Sequence, residues 1–402
     1  MPKLQFSVLS SILLCLSLFF VPGDAQADAA PVKSGDIIIY HDPGFYAAFP
    51  SIVQRPDGEL ICAFRRAPDR RVFGEKGNNH VDPNSYLVLV RSHDNGKTWT
   101  KDPELIFAHP YGGSQDPCLL QLDDGTLICT SYGWARVDDS VKESYSETLR
   151  HGNFVFMGGY LVRSADGGHS WSDAILPPPV PASADTSAFK RPVAAYNRGA
   201  PIQGSDGRIY WAVAAQATVQ PRRTETHLMI SEDGGLNWEY SCPIASDEKI
   251  TFNETSLYES PGGKLIAFMR TAHADDHTIV ARSEDGGKSF LPFEDTGWKG
   301  HPHFALPLPD GRVFLIYGYR HDPWGIRARV LNAECTDVAE AEEIVLRDDG
   351  QGGDLGYPWA TLTADGRILV VYYFHDQGKI SHIAGTFLDL PGSVEQQIRI
   401  EN

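Results

Sequence analysis

Basic charge is scarce in this chain, and the scarcity excludes one large class of functions. The 402 residues include 52 acidic and 35 basic side chains, which gives a formal net charge of −17. A protein that binds nucleic acid needs a basic surface against the phosphates, and the overall composition provides none. An anionic ligand would have to be bound by arginines gathered at one place, so the positions of the arginines are informative.

Cysteine is also rare, and its spacing excludes a metal-binding motif. Of six cysteines, Cys15 lies in the N-terminal segment. The other five are an odd number without metal-ligand spacing: Cys62, Cys118, Cys129, Cys242 and Cys335. Cys118 and Cys129 flank an Asp-Gly turn, so a cross-strand disulfide would fit an oxidising compartment. The favoured interpretation is that all five are small buried hydrophobic residues.

Long apolar runs are absent beyond the N-terminus. Lys3 precedes an apolar stretch from Phe6 to Val21, and Ala25-Gln26-Ala27 follows it. A basic start, a short apolar centre and a small-residue cleavage site indicate a secretory signal peptide over residues 1–27. The run is short for a membrane span, and no other segment approaches one. We therefore expect a secreted or periplasmic protein without a membrane span, in which residues 28–402 form one domain.

Internal repetition is the strongest signal in the sequence. One unit reads apolar strand, Gly-containing turn, apolar strand, as in PSIVQRPDGELICAF, and it is a β-hairpin signature. Its six copies begin at Pro50, Asp116, Ala200, Thr255, His303 and Tyr357. Each copy is followed by room for two further strands, so the sequence predicts an all-β, six-bladed propeller with four-stranded blades.

A second motif recurs after four of these hairpins. It reads Ser92-His93-Asp94-Asn95-Gly96-Lys97-Thr98-Trp99 in the first copy, and the others begin at Ser164, Ser231 and Ser283. The Asp side chain accepts hydrogen bonds from the turn, Gly takes a positive φ, and the aromatic residue packs into its neighbour. The motif resembles the Asp box, or BNR repeat, of sialidase-like propellers, and its predicted role is structural.

The last unit has three strands of its own, so ring closure needs a fourth from elsewhere. The segment Asp36–Tyr40, which reads as a strand, is predicted to supply it.

In each blade the start of the first strand and the end of the second strand share one rim. The polar residues that this topology brings to that rim are Arg65, Arg66, Asp116, Arg198, Glu254, Arg270, His301, His303, Arg320, His321, Asp354, Tyr357 and His375. Arginines and carboxylates on one rim indicate a site for an anionic sugar.

The chain resembles exo-sialidases over nearly its whole mature length. Asn253-Glu254-Thr255 and Arg270 match the family's blade-four glutamate and arginine, and Tyr357 matches its tyrosine nucleophile. The resemblance implies that Tyr357 attacks the sugar, Glu254 takes its proton, and stereochemistry is retained. The implied substrate is a glycan with a terminal acidic sugar, such as sialic acid.

The remaining family positions are less sharply matched. The acid/base aspartate is assigned to Asp82, with Asp69 as the second choice, and a further carboxylate-binding arginine to Arg327, with Arg320 as the second choice. Sialidases open blade one with an R-I-P motif, whereas this chain has Ala47-Ala48-Phe49-Pro50, with no arginine. Arg65 or Arg66, on the same rim of the same blade, could replace the missing arginine. Otherwise the substrate is not sialic acid.

The remaining predicted substrate-binding residues are Asp116, His303 and Asp354, and no metal or other cofactor is expected. His301 and His303, two residues apart, could ligate a metal, but sugar-hydroxyl binding or no role at all is favoured.

Two other classes of function stay open. A propeller polysaccharide lyase would use arginine against a uronate with Tyr or His as base and acid, and a non-catalytic propeller would only bind glycans.

Overall fold

The computed structural model describes residues 29–75, 80–146, 148–150, 152–187, 190–375 and 380–391, and the predicted signal peptide therefore lies outside the described residues. The described chain forms six four-stranded antiparallel sheets, which confirms the predicted six-bladed propeller. Its helical content is confined to two short 3-10 turns, Arg70–Phe73 and Asp139–Tyr145. Within these residues no helix has the length and apolar character needed to cross a membrane.

Each of the first three blades begins on its innermost strand. Blade one consists of β2 (Phe45–Gln54), β3 (Leu60–Pro68), β4 (Tyr86–Ser92) and β5 (Glu104–Phe107). Blade two consists of β6 (Gly113–Gln121), β7 (Leu127–Arg136), β8 (Leu149–Arg150) and β9 (Phe154–Ser164). Blade three consists of β10 (Ile202–Gln203), β11 (Ile209–Thr218), β12 (Arg223–Ser231) and β13 (Glu239–Ala245). Blade two departs from sequential order, because its outer position is taken by the short β8, which belongs to the connection between β7 and β9.

The other three blades follow the same plan. Blade four consists of β14 (Thr251–Glu259), β15 (Leu265–Ala272), β16 (His277–Ser283) and β17 (Glu294–Lys299). Blade five consists of β18 (His303–Pro307), β19 (Val313–Tyr319), β20 (Gly325–Leu331) and β21 (Ile344–Arg347). Blade six contains β22 (Gly356–Leu362), β23 (Ile368–His375) and β24 (Ser381–Asp389). The N-terminal strand β1 (Val32–Tyr40) completes blade six.

Ring closure occurs where the sequence predicts it. Strand β1 pairs antiparallel with β24, with Asp36 opposite Thr386 and Ile38 opposite Ala384. The Thr386 hydroxyl also donates to the Asp36 carboxylate at 2.6 Å. Joining the first described strand to the last one covers the sheet edge that blade six would otherwise leave unpaired.

The Asp boxes form closed hydrogen-bonded turns, as predicted. In the third box Asp233 accepts from Ser231 Oγ at 3.0 Å and from the Asn237 amide at 2.8 Å, while the Trp238 indole donates to the Gly235 carbonyl at 3.1 Å. Gly235 has φ +86°, and a Cβ there would lie 2.8 Å from Ile128 Cδ1 of blade two. The box therefore fixes both its own turn and the spacing to the preceding blade.

Apolar clusters between neighbouring blades form the core. Between blades one and two, Ile61 and Leu87 pack with Leu119 and Leu127, all of them fully or almost fully buried. Burial of each such side chain contributes about 1.5–3 kcal/mol. The five cysteines outside the N-terminal segment are free and buried, as the favoured interpretation predicts. A disulfide between Cys118 and Cys129 does not form.

Candidate active site

Three first strands contain the same strained backbone feature. Phe49 in blade one, Asp116 in blade two and Tyr357 in blade six have φ of +58°, +42° and +52°. A proline follows each of them, and each lies at a register shift of its ladder. A non-glycine residue in the left-handed region costs about 1–3 kcal/mol and persists only where its surroundings hold it. Three such residues on adjacent blades therefore indicate a constrained site near the axis.

Arg198 holds these three bulges together. Its guanidinium donates to the carbonyl oxygens of Pro50 at 2.6 Å, Pro117 at 2.9 Å and Tyr357 at 3.1 Å. The side chain is almost fully buried. One residue from the blade-three loop thus ties blades one, two and six at a single point. The sequence places Arg198 on the rim but does not predict this role.

Tyr357 and Glu254 meet on this rim. The Tyr357 hydroxyl donates to Glu254 Oε1 at 2.6 Å, and Arg270 donates to Glu254 Oε2 at 2.8 Å and to the Tyr357 oxygen at 3.3 Å. Tyr357 is 2% exposed and Glu254 5%. Burial and the neighbouring Glu254 charge raise the pKa of Tyr357 well above 10, although Arg270 and Arg320 oppose the shift. The phenol therefore keeps its proton at rest and directs it at Glu254.

The two blade-five arginines have different surroundings. The Arg320 guanidinium lies 5.6 Å from the centre of the Tyr357 ring and donates to the Gly353 carbonyl. Arg327, the preferred sequence candidate, instead donates to the carbonyls of Pro323 and Arg347 and stacks at 4.8 Å on the Tyr319 ring. Arg320, the second choice, is the blade-five arginine that lies beside the tyrosine.

The adjacent blade-one arginines also separate. Arg66 donates to the Tyr86 hydroxyl at 2.8 Å and to Asp42 at 3.1 Å, and it stacks on Phe45. Arg65 is fully buried, and none of its three guanidinium nitrogens has a hydrogen-bond partner among the described residues. Burial lowers the pKa of Arg65 against the opposing effect of nearby Tyr46 and acidic groups. Buried charges are usually paired, so this one indicates a place for an anion or water.

Asp116 lies close to Arg65 and is only partly satisfied. Its Oδ2 accepts from the Tyr132 hydroxyl at 3.0 Å, whereas Oδ1 has no partner among the described residues. Burial raises the pKa of Asp116 from 3.8 to about 6, with Arg198 opposing and the Glu254 charge adding to the shift. This carboxyl therefore binds a proton at a higher pH than an ordinary aspartate does.

Neither sequence candidate for the acid/base aspartate has its carboxylate available. Asp82 accepts two hydrogen bonds from the Arg70 guanidinium, at 2.6 and 2.8 Å, and caps the Asn84 amide at 2.7 Å. Asp69 accepts from the amide and guanidinium of Arg71 at the start of a 3-10 turn. No described hydrogen bond or ring contact joins either aspartate to Tyr357.

A histidine that the sequence reasoning missed lies beside Tyr357. The His80 ring packs against Phe49 at 4.8 Å and lies 6.2 Å from the Tyr357 ring, centre to centre. Its Nδ1 is 3.2 Å from Asp354 Oδ1. Asp354, predicted as a substrate-binding residue, also accepts from the hydroxyls of Tyr46 at 2.9 Å and Tyr373 at 2.8 Å.

His301 and His303, at the start of blade five, are internal to the protein. His303 is buried, and its Nε2 is 2.8 Å from the Thr278 hydroxyl. Burial lowers the pKa of His303 to about 3, so it is neutral. His301 is also buried, and burial together with the charges of Arg270 and Arg320 lowers its pKa well below 6.5. Among the residues that the structure describes, no three His, Cys, Asp or Glu side chains are grouped to hold a metal ion.

The fold and the rim define a sialidase-like propeller, and comparison with known proteins assigns its family. The BNR repeat-like domain matches residues 140–370, and the BNR/Asp-box repeat matches residues 90–101. The first of these covers more than half of the chain. The protein belongs to the BNR repeat-like domain family. No curated protein matches it in sequence.

Solved structures share the fold. A protein of unknown function from Dyadobacter fermentans is 55% identical, covers 90% of this chain and 99% of its own, and superposes with a TM-score of 0.87. The Hadza microbial sialidase Hz136 is 18% identical with a TM-score of 0.61, covering 87% and 66% of the two chains. The K499G mutant of the NanB sialidase from Streptococcus pneumoniae is 16% identical with a TM-score of 0.60, covering 90% and 70%. At these identities the likeness to the sialidases is one of fold.

Proposed function

We propose that the protein is an exo-acting, retaining glycoside hydrolase that releases a terminal acidic sugar, sialic acid or a relative, from glycans. The observation that carries the proposal is the buried hydrogen bond of 2.6 Å from Tyr357 to Glu254, with Arg270 bound to both. A phenol hydrogen-bonded to a carboxylate is an activated nucleophile paired with its base. A glycan-binding propeller without catalysis would not need this pair.

The choice of tyrosine suits an acidic sugar. A carboxylate nucleophile would be repelled by a substrate carboxylate beside the anomeric carbon, whereas a neutral phenol is not. Glu254 takes the phenolic proton as the bond to sugar forms, so the attack does not require a free phenolate. Arg270 stays beside both oxygens and stabilises the negative charge that passes between them.

Three arginines from three blades support binding of the sugar carboxylate. Arg270 lies 3.3 Å from the Tyr357 hydroxyl oxygen, and Arg320 lies 5.6 Å from the centre of its ring. Arg65 contributes a buried guanidinium without hydrogen-bond partners among the described residues. Arg65 is directly opposite Ala48 in the blade-one ladder, which is the position of the arginine missing from the R-I-P motif. Cross-strand neighbours share a face of the sheet, so Arg65 supplies the charge from the adjacent strand.

The test is a screen of the purified protein on sialosides, other acidic glycosides and uronate polysaccharides, read by product mass and ultraviolet absorbance. We expect a free acidic sugar with retained configuration, and no activity from Tyr357→Phe. A product with a conjugated double bond would make the protein a lyase. Binding without turnover on the whole panel would make it a glycan-binding propeller.

Export is part of the same proposal. The sequence of residues 1–27 supports a cleaved signal peptide, and an extracellular or periplasmic glycosidase would meet its glycan there. N-terminal sequencing of protein recovered from its native host should begin near Asp28. Recovery of the intact N-terminus from the cytoplasm would contradict export.

A further inference from the structure

His80 is held on the open side of the candidate nucleophile by two neighbouring blades. Its carbonyl accepts from the Gln115 side chain of blade two at 2.6 Å, and its ring meets the edge of Phe49 in blade one. The ring centre is 6.2 Å from that of Tyr357. The histidine side chain is 42% exposed, so water and a leaving group can reach it.

Asp354 fixes the orientation of this imidazole. It lies 3.2 Å from His80 Nδ1 and accepts hydroxyl hydrogen bonds from Tyr46 and Tyr373, while His375 Nε2 is 3.7 Å away. Burial would raise the pKa of Asp354, but the hydrogen bond and charge of His80 and the Tyr373 hydroxyl lower it far below its usual range. Because an ionised carboxylate can only accept a hydrogen bond, the Nδ1 atom that faces Asp354 carries a proton and donates it. Nε2 is then the ring nitrogen that can gain and lose a proton.

The other nitrogen of the ring is unoccupied. His80 Nε2 has no hydrogen-bond partner among the described residues. By contrast, the Asp82 carboxylate is 3% exposed and accepts two hydrogen bonds from Arg70. A general acid must reach the leaving oxygen directly or through one water. The partly exposed His80 ring has its Nε2 free for such a contact, whereas Asp82 would first have to break its ion pair.

We propose that His80, oriented by Asp354, is the general acid and base of the glycosidase reaction. This inference rests on the proposed function and replaces Asp82 in it. His80 would be a catalytic residue because Nε2 contacts the leaving oxygen and then water. Asp354 would be a positioning residue because it acts through Nδ1.

The proton transfers balance over two steps. In the first, the Tyr357 oxygen bonds to the anomeric carbon and its proton passes to Glu254 Oε1, while the glycosidic bond breaks and the leaving oxygen takes the proton of His80 Nε2. In the second, water attacks the anomeric carbon and gives a proton to Nε2. The bond to the Tyr357 oxygen breaks, and that oxygen recovers its proton from Glu254. Both residues thus return to their starting states.

The experiment compares His80→Asn with Asp82→Asn on two sialosides that differ only in leaving group. Sialyllactose has a poor leaving group that needs protonation, whereas the 4-nitrophenyl sialoside does not. His93→Asn serves as a matched control, because His93 is an exposed histidine on the opposite, Asp-box face. For His80→Asn we expect a fall in kcat/KM of about 10²–10⁴-fold on sialyllactose and of less than about tenfold on the aryl sialoside. Asp82→Asn and His93→Asn should affect both substrates equally.

Azide provides a readout that a merely structural residue would not change. It attacks the glycosyl-enzyme without a general base, so it should restore turnover of His80→Asn on the aryl sialoside and produce a glycosyl azide. Equal losses of His80→Asn on both substrates without azide rescue would overturn the proposal. So would a selective loss on sialyllactose, with azide rescue on the aryl sialoside, in Asp82→Asn.

Failure of the underlying function is recognised separately. A fluorinated sialic acid that traps glycosyl-enzymes should label Tyr357 in the wild type. If the wild type is labelled while His80→Asn behaves like His93→Asn, only the role of His80 is refuted. If the wild type is neither labelled nor active, the proposed function and the role of His80 fail together.

Discussion

The Asp116 carboxyl is buried at the rim in a way that should destabilise the fold at neutral pH. Its pKa is raised from 3.8 to about 6, chiefly by burial. A carboxyl that binds its proton more tightly in the folded state opposes folding wherever it is ionised. This loss of folding stability is fully present above pH 6, decreases as the pH falls from 6 to 4, and vanishes below that range. A shift of about two pKa units corresponds to about 3 kcal/mol.

The perturbation is Asp116→Asn, which keeps the hydrogen bond to Tyr132 and tolerates the positive φ of +42° at this position. At pH 8 we expect a gain of about 3 kcal/mol, equivalent to a rise in Tm of about 4 °C for a protein of this size. At pH 4 the gain should disappear. Thermal melts of the variant and wild type at both pH values measure it, with the exposed Asp102→Asn as control.

A variant that is less stable than the wild type at pH 8 would refute this reasoning. It would mean that Arg65 and Arg198 stabilise the ionised carboxylate more than burial opposes it. The same melts would then show a loss of stability at pH 8 that disappears at pH 4, in place of the expected gain that disappears at pH 4.

Three further substitutions test other parts of the structure. Arg270→Lys should lower kcat/KM on an acidic glycoside by about 10²-fold or more. The reason is that an ammonium group cannot reproduce the planar, two-point contacts by which a guanidinium binds a substrate carboxylate together with Glu254 and Tyr357. An unchanged kcat/KM in steady-state kinetics would exclude Arg270 from the site. Arg198→Met should cost more than about 3 kcal/mol, because three buried carbonyls lose a charged donor, and chemical denaturation with a midpoint equal to wild type would contradict it. Gly235→Ala should destabilise by about 1–3 kcal/mol more than Gly207→Ala: both glycines have a positive φ near +85°, but only at Gly235 would the Cβ meet another blade. Equal melting temperatures would show that the box does not set blade spacing.

The architecture could be predicted because hairpin and Asp-box signals are local. A turn such as Asp57-Gly58 determines its hairpin within a few residues, and six repeats of such a hairpin predict a closed propeller. The closing strand was predictable for the same reason, since blade six lacks one member. The short β8 in blade two was not, because its pairing depends on the path of a long connection and not on a repeat.

The site was predictable where a residue lies on a strand of known direction. Tyr357 and Glu254 open first strands on the same rim, and their hydrogen bond follows from that placement. Arg65 and Arg66 are adjacent on one strand and therefore face opposite sides, so the sequence could indicate that one of them faces inward but not which.

The loop residues were not predictable. His80 is a lone histidine without a motif, and its importance arises only from the packing of its ring against Phe49 and its contact with Asp354. The sequence favours Asp82 for its place in the same loop, but the guanidinium of Arg70, the first residue of the 3-10 turn, binds its carboxylate. Arg198 donates to three carbonyls of three other blades, and backbone acceptors of this kind cannot be recognised from the sequence.

The covalent intermediate provides the most direct test of the proposed mechanism. The protein is incubated with a fluorinated sialic acid, digested and analysed by mass spectrometry. The mechanism predicts one glycosylated residue, Tyr357, with no label on the neighbouring Tyr373 and none anywhere in Tyr357→Phe. Turnover of an acidic glycoside without any label on Tyr357, or with undiminished activity in Tyr357→Phe, would contradict it.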